Sequence, residues 1–339
     1  MAFEIIRGQA QVFKYYFAGL GWCSRASARI KFPAVDGTGV SATNCFLPNF
    51  LALTVLLDLK REKSILYKKM KPYFYIGLSV IVVSEILLFL GERWVSMFFT
   101  PLVWTGYILF IDGVVYRIKR KSLLTTNKKT FCMMFPLSLG FWFVFEFYNL
   151  FIKNWKYEGL PSIWLTAIGM VWAFATIGPG ILETTEFLKS IRAFNLSTKG
   201  FKIPNIVLRI VIVIGILCLL APLVAPYRVS KYLVTSLWFG FVFLLDPINC
   251  MNEKNSIFSE WQEGNFQNFL CLFFGGLICG FLWELWNYWA ATGWIYQIPY
   301  YLGPKIFEMP LLGYLGFPPL AMGYYAFYSF ILRKTQQRQ

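Results

Sequence analysis

Eight stretches of this chain, at 72–91, 94–116, 131–152, 160–182, 205–225, 231–249, 268–290 and 309–332, are apolar over a length that fits a bilayer crossing. About 30 Å of hydrocarbon needs roughly 20 helical residues. The chain therefore reads as an all-α polytopic membrane protein of about eight transmembrane helices. Composition agrees, with 57% apolar, 20% aromatic and 14% charged residues, against roughly 25% charged in soluble domains.

The eight stretches divide into two sets of four because the sequence repeats itself. Trp104, Asp112, Glu146-Phe147-Tyr148-Asn149 and Trp155-Lys156-Tyr157 return as Trp238, Asp246, Glu284-Leu285-Trp286-Asn287 and Trp294-Ile295-Tyr296. The offset is 134 residues for the first two elements and 138 to 139 for the later ones. An internal repeat at fixed period is the signature of a duplicated unit. An even number of spans per unit sends both copies across in the same direction, so the halves are expected to be parallel and related by a pseudo-twofold along the membrane normal. The expected organisation is an interfacial segment at 1–71, a first repeat at 72–203, a second at 204–332 and a short tail at 333–339.

The net charge of +15 is distributed as membrane topology requires. Basic residues collect before the first span (Lys60, Arg61, Lys63, Lys68, Lys69, Lys71), after the second (Arg117, Lys119, Arg120, Lys121) and after the fourth (Lys189, Arg192, Lys199, Lys202), and again in the tail. The positive-inside rule then places both termini in the cytoplasm. The expected location is the bacterial inner (plasma) membrane, with lipid and not nucleic acid as the partner of the charge. Ile6, Phe13, Phe17 and Leu20 beside Arg7 and Lys14 suit an amphipathic helix lying on the membrane surface. The apolar stretch 46–57, broken by Pro48 and Asn49, is too short to span and reads as interfacial or re-entrant.

What the chain lacks narrows its chemistry. It has no histidine, and its seven cysteines show no metal-ligand spacing, so histidine-ligated metals and His-activated nucleophiles are excluded. There is no glycine-rich phosphate loop. No metal and no cofactor is expected, and proton chemistry falls to carboxyl groups. With the N-terminus inside, Glu146 and Glu284 sit in the outer third of their spans, each one helical turn from Asn149 or Asn287. Asp112 and Asp246 sit towards the inner ends. Acids inside membrane spans mark functional sites by default. They also admit plainer readings. Asp112 before Gly113 and Asp246 before Pro247 suit helix ends near the headgroups, and each Glu–Asn pair suits a structural hydrogen bond. Glu85 has no counterpart in the second repeat. Trp155, Tyr157, Trp294 and Tyr296 lie just past outward spans, where an aromatic belt is the ordinary explanation.

The segment Trp294-Ile-Tyr-Gln-Ile-Pro299, followed by Gly303-Pro-Lys-Ile-Phe-Glu308-Met-Pro310 and then Phe317-Pro318-Pro319, resembles the membrane-integral lycopene cyclase domain family. Tandem repeats of that family carry an aromatic W-x-Y/F element, a loop and a P-x-E-E element opening the next helix. The resemblance implies an aromatic-lined cavity between two four-helix halves, suited to a polyene or other isoprenoid. It also implies cyclisation by carboxylic-acid proton transfer, an isomerase-type reaction with no net redox change. One departure stands out. Leu312 and Gly313 follow Pro310, and Ile163 and Trp164 follow Pro161, where the acidic pair would stand. The acids at hand are Glu308 and Glu158, which precede those prolines, so the family's acids do not transfer by position. The expected acid and base groups are Glu308, Glu284 and Glu146, with Glu308 as proton donor because it opens the last span. Trp294, Tyr296, Asn287, Asn149, Trp155, Tyr157 and Glu85 are the expected substrate contacts, and Pro318-Pro319 is expected to bend the cavity wall. Two other readings remain open: a non-catalytic lipid- or pigment-binding subunit, and a proton- or cation-coupled transporter whose halves rock about a midplane site.

Overall fold

A computed structural model describes residues 70–299 and 303–332. The expectations for the N-terminal amphipathic helix, the 46–57 stretch and the basic tail fall outside the described residues. The elements are α1 (Pro72–Phe89), α2 (Arg93–Met97), α3 (Phe99–Lys119), α4 (Leu123–Thr126), α5 (Lys128–Ile152), β1 (Trp155–Glu158), α6 (Ile163–Ser190), α7 (Asn205–Val224), α8 (Tyr227–Ser230), α9 (Val234–Met251), α10 (Ile257–Gln262), α11 (Gln267–Trp289), β2 (Gly293–Tyr296), β3 (Lys305–Ile306), β4 (Met309–Pro310), a 3₁₀ turn (Leu311–Gly316) and α12 (Phe317–Ile331). Among the described residues, seven helices (α1, α3, α5, α6, α7, α9 and α11) are long and apolar enough to cross a membrane.

The last apolar stretch departs from expectation. It does not form one helix over 309–332: its first residues make β4 and the 3₁₀ turn, and the helix proper starts at Phe317 with prolines in its first turn. First-turn N–H groups have no partner inside a helix, so proline is tolerated there and starts a helix without bending it. Pro318-Pro319 therefore open α12 and do not kink it. The fourth stretch departs the other way. α6 runs on past Leu182 to Ser190 and carries Glu183 into the interior at 0% exposure.

Helix neighbours follow the same order in both halves. α1 packs on α3, α3 on α6 and α6 on α5; α7 packs on α9, α9 on α12 and α12 on α11. The halves meet chiefly where α6 lies along α11. Small residues set the closest crossings, as is usual for membrane helices. A Cβ on Gly77 would lie 2.5 Å from the Gly106 carbonyl oxygen, and one on Gly215 would lie 2.5 Å from the Leu244 nitrogen, so at both crossings only glycine lets the backbones come this close.

Proline inside α6 leaves a gap in the helical ladder at Pro179. Ser138 of α5 enters it, accepting from the Gly178 N–H at 2.8 Å and donating to the Phe174 carbonyl at 2.6 Å. An inserted side chain of this kind lets a helix pass through a proline without ending. The outer faces of α1 and α7 expose Ile76, Val83, Ile86, Ile210, Val213 and Leu217. An apolar surface of this extent suits a hydrocarbon surround and not water, as expected for an integral membrane protein.

Candidate functional site

The two Trp-x-Tyr elements do not form an outer belt. They turn inward as β1 and β2 and pair antiparallel, Trp155 opposite Tyr296 and Tyr157 opposite Trp294. Each strand is fixed by the asparagine of the preceding helix. Asn149 accepts from the Asn154 and Trp155 N–H groups and donates to the Trp155 carbonyl at 2.9 Å. Asn287 accepts from the Trp294 N–H and donates to the Trp294 carbonyl, both at 2.8 Å. The asparagines are thus devoted to backbone and neither hydrogen-bonds its glutamate, contrary to the expected pairing. The chain closes tightly behind the strand pair at Gly159, whose φ of +67° and approach to the Ala291 carbonyl leave no room for a side chain.

With the asparagines committed, the glutamates take aromatic donors. Glu146 Oε1 accepts from Trp142 Nε1 at 2.9 Å, from Trp155 Nε1 at 3.2 Å and, closest, from the Tyr157 hydroxyl. Glu284, at 0% exposure, accepts from the Tyr296 hydroxyl at 2.7 Å, and Trp294 Nε1 supports that hydroxyl at 2.9 Å. Burial, reinforced by the neighbouring glutamate, holds both tyrosine hydroxyls far above the usual phenol range, so they stay protonated and donate. The two arms differ in the donors that reach the glutamate. Gly280 of α11 stands where Trp142 stands in α5, four residues before the glutamate, and the Phe317 ring fills the space. Glu284 therefore has two donors fewer, since Trp294 Nε1 also bonds the Tyr296 hydroxyl where Trp155 Nε1 bonds Glu146, and its Oε2 is buried with no partner.

The tyrosines and tryptophans of both arms line an apolar chamber, partly open to the outside, with a cavity volume of about 90 Å³. Six tryptophans face it: Trp104, Trp142, Trp155, Trp238, Trp283 and Trp294. Phe145, Phe174, Phe317 and Leu320 complete its apolar wall. Trp283 is the hub, with its ring 6.2 Å from Trp104, 5.2 Å from Trp142 and 5.4 Å from Trp294.

The expected contacts sort accordingly. Trp155, Tyr157, Trp294 and Tyr296 line the chamber. Glu146 and Glu284 stand behind the tyrosines, and Asn149 and Asn287 act through the strands. Glu85 is half-buried on α1, away from the chamber lining. Glu308 is corrected most. It lies in the β3–β4 turn, nine residues before α12 begins, and pairs with Lys305 at 3.9 Å. Glu308 therefore does not open the last span, the position that would suit a proton donor.

The inner acids do not end their helices either. α3 continues to Lys119 and α9 to Met251. Asp246 accepts from Ser256 Oγ at 2.9 Å, Ile257 N at 3.0 Å and Phe258 N at 2.9 Å, holding the start of α10. Asp112 accepts from Leu124 N at 3.1 Å and the Tyr73 hydroxyl at 2.7 Å, holding the start of α4. Each is followed ten residues later by the N-cap serine of the helix it holds, Ser122 or Ser256, a spacing readable in the sequence.

α10 also carries Glu260, held by the Asn268 amide at 3.1 Å. Burial lifts its carboxyl to about 7, against the opposing pull of Lys189. A carboxyl raised in the folded state loses stability as pH climbs from its unfolded to its folded value, because only the unfolded chain ionises in between. Wild type should therefore lose about 1–3 kcal/mol relative to Glu260→Gln between pH of about 4.5 and about 7. Thermal unfolding of both proteins across that range checks this, and parallel curves would contradict it.

Glu183 is hidden in the sequence because it directly follows an apolar run, where a helix end is the ordinary expectation. No family model, curated protein or solved structure matches this chain.

Proposed function

We propose that this chain is an integral membrane protein that binds an elongated, π-rich isoprenoid or polyene in the tryptophan-lined chamber. The observation that carries the reading is the chamber itself: six tryptophans around one apolar space, with a Glu–Tyr pair at each of two arms and little other polar surface. Ligand pockets of this type are mostly apolar with a few placed polar groups. Stacked and edge-on indoles suit a conjugated chain and stabilise a cation formed on it.

The finer reading is a lycopene-cyclase-like isomerisation. Two parallel four-helix repeats place the arms symmetrically, and α12 with its 3₁₀ turn serves as an eighth, shortened crossing. The basic loops favour a topology with both termini in the cytoplasm. Glu284 is the acid, since it is fully buried with a single donor, whereas three donors on the less buried Glu146 favour its charged form. A neutral Glu284 donates to the Tyr296 oxygen and lets the phenolic proton turn into the chamber, onto a double bond. The resulting cation closes a ring. It then loses a proton to the ionised Glu146–Tyr157 arm, and solvent resets both acids, so no electrons are gained or lost.

A pigment- or lipid-holding scaffold is the second reading, favoured by the same three donors on Glu146, which suit a fixed structural carboxylate. One experiment separates them. Full-length protein is purified in nanodiscs of defined lipid, extracted for mass spectrometry and incubated with an acyclic polyene. Catalysis predicts retained ligand and ring-closed product in wild type. Tyr296→Phe and Glu284→Gln should keep the ligand and lose turnover by about 100-fold or more. Retained ligand without product in any of the three supports the scaffold, and no retained ligand overturns both.

A further inference from the structure

A second polar centre lies inside the first half, apart from the chamber. Glu183 of α6 and Asp112 of α3 are both at 0% exposure, and the Asp112 carboxyl lies within hydrogen-bonding reach of Glu183. Both carboxylate oxygens of Glu183 lack a donor from the protein, while the two oxygens of Asp112 are engaged by Leu124 and Tyr73. Two adjacent carboxylates at fully buried positions repel too strongly to be ionised together.

The groups facing the pair are Tyr73 from α1, Tyr107 and Lys119 from α3, Glu186 from α6 and Tyr328 from α12. Glu186 is shared by Lys119 at 3.1 Å and Lys189 at 3.2 Å. Among the described residues no cluster of three or more acid, Cys or His ligands surrounds Glu183. A bare divalent cation would need such an oxygen-rich shell; a proton needs only the two carboxyls.

We propose that Glu183 and Asp112 form a proton-binding site in which a single proton, carried by Glu183, bridges the two carboxyls. Tyr73, partly exposed and bonded to Asp112, links the site to the surface. No residue of the chamber lining takes part, so the site stands whether or not the chamber binds a polyene.

Infrared difference spectroscopy on the full-length protein in nanodiscs tests it. Proteins differing only at position 183 are compared, because Glu146 and Glu284 add acid bands of their own. Wild type at neutral pH should show a protonated-carboxyl carbonyl stretch that shifts in D₂O and is missing from Glu183→Gln. Asp112→Asn supplies an independent arm: with the bridge broken but the proton kept on Glu183, the band should persist at a shifted frequency. An acid band unchanged in both variants would overturn the site. So would wild-type thermal stability that rises with Na⁺ or K⁺ and is insensitive to them in Glu183→Gln, which would make it a cation site.

Discussion

Asp246→Ala should be among the most destabilising single substitutions in the chain. It removes the acceptor for Ser256 Oγ and for the Ile257 and Phe258 N–H groups at a fully buried position. Each donor left without a partner costs about 1–3 kcal/mol, so the total is roughly 3–5 kcal/mol once some relaxation of α10 towards water is allowed. Asp246→Asn keeps one acceptor oxygen and should cost about half as much. Asp112→Ala strands only Leu124 N and the partly exposed Tyr73 hydroxyl, and should fall below both. Thermal unfolding in a fixed detergent gives the ranking. A reversed order, with Asp112→Ala worst, would mean that the α10 loop is not held in this way.

Trp283→Ala is the second large expected effect. The indole is nearly buried and touches four ring systems, those of Trp104, Trp142, Trp294 and Phe317. Truncating a buried tryptophan costs about 3–5 kcal/mol, through lost contacts and the cavity left behind. Here the cavity merges with the chamber, so ligand binding should fall with stability. Trp283→Phe restores a ring of smaller volume and should recover most of the stability and part of the binding. If Trp283→Ala lost stability while binding stayed intact, the ligand would lie elsewhere.

Much of this was legible in the sequence, for reasons that particular residues make plain. Runs of about 20 apolar residues can only cross or be buried, and seven of the eight expected stretches carry helices of spanning length. The recurrence of Trp104 as Trp238 and Asp112 as Asp246 matches an identical order of helix neighbours in both halves. Other features were hidden because they depend on pairing between distant parts of the chain. Trp155 and Tyr296 are far apart in sequence, and nothing in either element says that the two strands face each other. Spacing alone places Asn149 one turn from Glu146, yet the backbone N–H groups of the following loop compete for the same carboxamide and win. Pro318-Pro319 look like a kink unless it is known that the helix begins one residue earlier. Glu183 directly follows the apolar run 160–182, and only packing against other helices shows that its helix continues to Ser190 with Glu183 inside.

The central claim is that the six tryptophans enclose a site for a conjugated chain. A titration of tryptophan emission tests it most directly, using full-length protein in phosphatidylcholine nanodiscs and an acyclic polyene that absorbs where indole emits. Strong quenching is expected, saturating near equimolar polyene and much reduced in Trp283→Ala. A saturated hydrocarbon of equal length should neither quench nor compete well. Quenching that grows in proportion to polyene in the lipid, and is the same in Trp283→Ala, would show only partition into the bilayer and would contradict the account.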